Sequence, residues 1–126
     1  IGGVRTPGGH ELLYARSHMV TVAKAYGLEA IDMVCVDFKD EAKLRAECAD
    51  GYALGYTGKY AIHPAQVPVI TECFSPSADQ IELATRIVDK AAAAAADGVG
   101  AFEVDGKVVD EPVIKWARAV LARSRA

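Results

Sequence analysis

Apolar residues at Leu12, Leu13, Ala15, Met19, Val20, Val22, Ala23 and Tyr26 follow the i, i+3, i+4, i+7 spacing of an amphipathic helix, and Gly27 stands where such a helix stops. The next run, "AIDMVCV" at residues 30–36, is too short for a helix and apolar except for Asp32, as expected of a strand buried on both faces of a parallel sheet. Asp37 and Asp40 end it. Asp40 is placed to cap a second helix, "EAKLRAECADGYALG", with Leu44, Cys48, Ala49, Tyr52 and Ala53 inward and Gly55 as its stop. "KYAIHP" then reads as a brief second strand ended by proline. Alternating helices and strands with short connections are the pattern of βα units, and two strands alone cannot bury both faces of a parallel sheet.

Beyond residue 64 the pattern becomes helical. "AQVPVITECF" predicts a short helix interrupted by Pro68, and "SPSADQIELATRIVDKAAAAAADG" a longer one with Ser77 as N-cap, Gln80 at the capping-box position and Gly98 as stop. The alanines at 91–96 favour helix and carry no chemistry. In "GAFEVDGKVVDEPVIKWARAVLARSRA", alternating apolar residues around Asp105-Gly106 predict a hairpin, followed by a helix opening near Pro112 with Ile114, Ala117, Val120 and Leu121 on one face. A hairpin and one helix have little core of their own, so this part is expected to pack on another surface.

Composition narrows the function classes. The chain has 126 residues, 52% hydrophobic and 25% charged, in the globular range. A formal charge of −3 argues against a nucleic-acid binder that neutralises phosphates along a groove. No apolar run approaches the ~20 residues of a membrane-spanning helix. Cys35, Cys48 and Cys73 are odd in number and lack a C-x-x-C pair, which fits reduced thiols better than a disulfide framework or a zinc site. The Gly-rich opening "IGGVRTPGG", with no initiator Met and no signal-peptide pattern, is expected of a chain that begins inside a longer one.

Candidate chemistry gathers at the ends of the strands. "GYTGKYAIHPAQ" resembles a phosphate loop, but the glycine position of G-x-x-x-x-G-K-[ST] holds Ala53, and Lys59 is followed by Tyr60, so it is not a nucleotide P-loop. Lys59 is read either as meeting an anionic substrate or as lying at the solvent edge. Asp32 is read as a hydrogen-bonded structural carboxylate, because a charge in an apolar strand needs a partner. Asp37, Asp40 and His63 lie where α/β folds place ligands, and binding and structural roles stay open for each. The three histidines have no zinc-ligand spacing. Asp110, between hairpin and helix in "GKVVDEP", is either an N-cap or a carboxylate delivered from a tethered flap.

The series "LLYARS", "AYGLEAIDMVCVDFKD", "LGYTGKYAIHPAQV", "FSPS", "GVGAF" and "GKVVDEP" closely resembles the carboxy-terminal part of the citrate lyase β-subunit family, in particular its citramalyl-CoA and malyl-CoA lyase branch. The resemblance runs over essentially the whole chain. It implies an α/β fold: residues 1–76 as carboxy-terminal βα units of a TIM (β/α)8 barrel, and residues 77–126 as a helical and hairpin extension that packs as a lid on a neighbouring subunit. It also implies a homotrimer and a magnesium-dependent enzyme that cleaves or forms a carbon–carbon bond in a 3-hydroxyacyl-CoA thioester. The backbone at Tyr60 and Ala61 would line the coenzyme A thioester site, and Asp110 would be the catalytic carboxylate, brought over the next subunit's site. The magnesium ligands, a glutamate and an aspartate, would lie upstream of Ile1, so no metal ligand is assigned in this chain and the missing amino-terminal part is an expected partner. The resemblance further implies a mitochondrial matrix location for a eukaryotic source and a cytoplasmic one for a bacterial source. Two alternatives accompany it: a malate-synthase-like condensation with thioester hydrolysis, and a non-catalytic interaction fragment.

Overall fold

A computed structural model describes residues 2–4, 6–96 and 100–124. The described residues form five α-helices and four short strands, and their contacts separate into two units, Ile1–Phe74 and Ser75–Ala126. No described helix is long and apolar enough to cross a membrane.

In the first unit, a 3-10 turn at His10–Leu12 leads into α1 (Leu13–Ala25). The chain turns through Gly27 into β1 (Ile31–Asp32) and then α2 (Glu41–Leu54). Local chemistry sets the ends of α2: Asp40 Oδ1 accepts from Lys43 N at 2.9 Å, and Gly55 closes the helix at φ 97°. β2 (Gly58–Lys59) returns parallel to β1 with Ile31 opposite Gly58 and Asp32 opposite Lys59, and α3 (Gln66–Phe74) follows. The core is built from Val20, Ala30, Cys35, Leu44, Cys48, Tyr56, Val69, Ile70 and Phe74.

Four expectations for this unit are corrected. The regular strands cover two residues each rather than the whole apolar runs, and residues 33–36 and 60–63 leave the ladder as irregular chain. Ile31 and Val36 are exposed, so the first run is not buried on both faces. On α1 only Val20 is buried; Leu13, Met19, Val22 and Tyr26 are exposed, because the helix packs on the unit's core through one narrow line of contact. Pro68 does not interrupt α3. It is the third helical residue, inside the first turn, where a backbone N–H would have no intrahelical acceptor.

In the second unit, α4 (Ala78–Ala96) begins at a reciprocal capping box: Gln80 N donates to Ser77 Oγ at 3.2 Å, and Ser77 N donates to Gln80 Oε1 at 2.9 Å. The stop assigned to Gly98 lies outside the described residues. β3 (Phe102–Val104) and β4 (Lys107–Val109) pair antiparallel across Asp105 (φ 51°) and Gly106 (φ 75°), the left-handed pair a tight primed turn demands. α5 (Glu111–Arg123) follows, with Asp110 as N-cap and Pro112 in its first turn. Ala84, Ile87 and Ala91 of α4 pack with Val104, Val109, Ile114, Ala117 and Val120. The hairpin and last helix therefore do have a core: they share it with the inner face of α4, which the apolar pattern of the last segment alone did not reveal.

Candidate functional site

Because β1 and β2 run parallel, their carboxyl ends lie at one edge, and the segments leaving them carry the candidate residues of the first unit. Asp32, on β1, is buried and holds the centre of an ion network. Arg16 of α1 grips it with two donors, Nε at 3.1 Å and Nη2 at 3.0 Å, while Nη1 reaches Asp50 of α2 at 2.6 Å. Lys59 Nζ donates to Asp32 Oδ2 at 3.3 Å and lies 3.1 Å from Glu47 Oε2, an ion pair without hydrogen-bond geometry. Burial pulls the Arg16 guanidinium down, but its bonds to Asp50 and Asp32 outweigh this and hold it raised. Tyr56 Oη donates to Arg16 O, and the guanidinium lies over the Tyr56 ring at 5.6 Å. Four elements are thus fastened around one carboxylate. Asp32 is structural, as its place in an apolar strand implied.

Lys59 answers neither of its sequence readings. Its side chain is 0% exposed and its ammonium faces Asp32 and Glu47, so it is neither at the solvent edge nor offered to a ligand. Asp40 serves as the cap of α2, and Asp37 forms an ion pair with Lys43 whose ammonium is held above the usual lysine range by that carboxylate. His63 stacks on Phe38 with ring centroids 4.8 Å apart, and its Nδ1 accepts from Ala65 N at 3.1 Å. Among the described residues no group of three or more His, Cys, Asp or Glu is placed to hold a metal ion. Asp32, Asp37, Glu41, Glu47, Asp50 and Glu72 face cations and Asp40 caps α2, so the carboxylates around the strand pair form no donor set that fits magnesium.

Two concavities flank the strand pair. One of about 610 Å3 is lined by Val36, Asp37, Phe38, Lys39, Asp40 and Glu41, just past the end of β1. A second of about 750 Å3 reaches from Gly8 and Gly9 across Arg16 and Asp32 to Glu47 and Lys59. Past the end of β2, Tyr60 and Ala61 are exposed, and Tyr60 N donates to Asp32 O at 3.0 Å. The Tyr60–Ala61 backbone therefore sits at the strand edge, held from behind by β1.

Sequence reasoning missed two residues here. Arg16 interrupts the apolar stripe of α1, and a charge on that face could have been matched with the lone carboxylate of β1. Gln66 is 1% exposed: its Nε2 donates to Cys35 O at 2.9 Å, and its Oε1 accepts from Ile62 N at 2.8 Å and His63 N at 3.3 Å. Nothing in its spacing announced that role.

In the second unit Asp110 is exposed at the start of α5, and its Oδ1 accepts from Val113 N at 3.4 Å, a long cap bond. The capping reading is realised in this geometry, and the exposed carboxylate leaves the flap reading open.

Comparison with known proteins places the chain in a family. Residues 1–64 match the model of the HpcH/HpaI aldolase/citrate lyase family. The chain is 46% identical over 122 residues to a citrate lyase subunit beta-like protein of Deinococcus radiodurans, covering 97% of this chain and 43% of that protein. It is 41% identical over 118 residues to the mitochondrial citramalyl-CoA lyase of Homo sapiens, covering 94% and 35%. The crystal structure of CitE from Mycobacterium tuberculosis in complex with magnesium, acetoacetate and coenzyme A superposes with a TM-score of 0.77 at 31% identity, over 99% of this chain and 46% of that one. The chain spans less than half the length of these relatives. With more than half its residues inside the family model and its described residues following a member's fold, this chain belongs to the HpcH/HpaI aldolase/citrate lyase family.

Proposed function

We propose that this chain is the carboxy-terminal part of a carbon–carbon lyase acting on a 3-hydroxyacyl-CoA thioester such as (S)-citramalyl-CoA or malyl-CoA. Residues 1–76 supply the last βα units of a (β/α)8 barrel, and residues 77–126 supply an extension that reaches the site of a neighbouring subunit in a homotrimer. The relatives named for citramalyl-CoA and citrate lyase, and the CitE complex with coenzyme A, support the substrate class. The same complex supports magnesium as the cofactor; we place its ligands outside these residues, since no group of three or more His, Cys, Asp or Glu among the described residues is set to hold it. In a cell the protein would work in the mitochondrial matrix or the bacterial cytoplasm, according to its source.

The observation that carries this reading is the Tyr60–Ala61 backbone, exposed at the carboxyl end of a parallel strand pair where α/β folds bind their ligands. We assign it to the acyl-CoA thioester. In the cleavage direction the substrate hydroxyl gives its proton to Asp110, the carbon–carbon bond breaks to leave a keto acid, and the electron pair passes to the α-carbon of the thioester as its enolate. That carbon is then protonated. Asp110 returns the proton in this last transfer, acting first as base and then as acid, and its exposure suits a group that must meet a substrate beyond its own unit.

Capping and catalysis by Asp110 separate in one substitution, because asparagine caps a helix about as well as aspartate but cannot exchange a proton. In the complete protein, Asp110→Asn should lower kcat by roughly two to four decades with KM changed far less. Mixed oligomers of Asp110→Asn subunits with subunits lacking a metal ligand should regain activity that neither parent shows. Wild-type kcat in Asp110→Asn would overturn the catalytic assignment. Verified mixed oligomers that stay inactive would overturn the delivery between subunits.

A further inference from the structure

Among the described residues the buried polar or charged side chains are Asp32, Lys59 and Gln66. The first two neutralise each other. Gln66 does something different: it joins the segment leaving β1 to the segment leaving β2, through the bond to Cys35 O on one side and the bonds from Ile62 N and His63 N on the other. The ladder ends at Asp32 opposite Lys59, and the bond from Tyr60 N to Asp32 O is one residue beyond it. The Tyr60–Ala61 dipeptide therefore lies between two fixed points, Tyr60 N on Asp32 O behind it and Ile62 N on Gln66 Oε1 ahead of it. Its side chains face solvent while its backbone is pinned at both ends.

A carboxamide fits this place. One end must accept from two N–H groups and the other must donate to a carbonyl, which a carboxylate or a thioether of the same length cannot do. The stacking of His63 on Phe38 adds a second tie between the same two segments.

We propose that Gln66 is a positioning residue that presets the Tyr60–Ala61 backbone to receive the acyl-CoA thioester, a role that rests on the lyase reading above. A loop held in its binding geometry before the ligand arrives avoids the loss of affinity that a partly populated competent state imposes. Gln66→Met keeps the volume and removes all three hydrogen bonds. If the competent loop falls to about a tenth of the population, KM for the acyl-CoA rises ~10-fold, while kcat stays within ~2-fold because bound substrate restores the loop. Gln66→Glu is the companion variant. Its ionised form keeps the acceptors but presents a second oxygen to Cys35 O, whereas its protonated form regains a donor and mimics the amide.

The experiment compares wild type, Gln66→Met and Gln66→Glu in the complete protein, by steady-state kinetics across pH and by hydrogen exchange of the Ile62 and His63 amides in the free protein. The expected result is a raised KM with near-constant kcat and faster exchange at both amides for Gln66→Met. For Gln66→Glu, the KM ratio to wild type should fall toward one as pH is lowered. Wild-type KM in Gln66→Met, or a loss confined to kcat, overturns the proposal. If Gln66→Met does not fold, a Gln66→Glu ratio that is flat with pH overturns it. A wild type that turns over no CoA thioester defeats the lyase reading instead, and the exchange of Ile62 and His63 still decides whether Gln66 sets this backbone.

Discussion

At the scale of single residues, the buried thiols carry a definite pH signature. Burial pushes the Cys48 thiol up from 9.0 to about 11, and it pushes Cys35 in the same direction. A folded-state value above the unfolded one means that the neutral thiol favours the fold: its contribution is complete below pH 9 and is lost as the pH rises toward 11. The urea midpoint of the protein should therefore fall over that window, and Cys48→Ala should make the fall shallower. Equal slopes in the two proteins would show that Cys48 does not titrate with folding. The odd, unpaired cysteines already suggested reduced thiols. The partners of Lys59 were not legible in the same way, since a lysine beside a glycine looks exposed until Asp32 and Glu47, distant in sequence, are seen to close over it.

Between elements, α2 packs closely on β1. A Cβ added to Gly51 would lie 2.8 Å from Asp32 Oδ2, so the helix can approach the buried carboxylate only with glycine at that position. Gly51→Ala improves helix propensity by about 1 kcal/mol. It also forces Asp32 away from Arg16 and Lys59, and disrupting a buried ion pair costs about 3–5 kcal/mol. The second effect wins, and a net loss on the order of 2 kcal/mol or more should appear as a lower denaturation midpoint. An unchanged midpoint would mean that the carboxylate has room to shift. Element ends were readable where their chemistry is local: Asp40 and Gly55 around α2, Ser77 with Gln80 before α4, Asp105-Gly106 in the hairpin, Asp110 before α5. Burial was less readable. The spacing on α1 predicts an amphipathic helix, yet apolar spacing states only that one face is different, not what covers it.

For the molecule as a whole, the 126 residues carry a large share of uncovered apolar surface. Tyr14 is 81% exposed and Tyr26 78%, with Leu28, Val36 and Tyr60 all above 60%. Apolar area left in contact with water favours association. The chain prepared by itself should bind a hydrophobic dye, sediment with a concentration-dependent mass and show no lyase activity with magnesium. A monomer that binds no dye and melts in one sharp transition would contradict this. The two units also differ in how far the chain must travel to close its pairings. The β1–β2 register joins residues 27 apart, as in the bond from Lys59 to Asp32, whereas β3 and β4 meet across Asp105 and Gly106. Closing a longer loop is slower and entropically dearer, and a hairpin forms in roughly 1–10 μs. The later-synthesised unit should therefore be the earlier to assemble, so that during refolding the amides of β3 and β4 gain exchange protection before those of Thr57 and Tyr60, and chain order and folding order run in opposite directions.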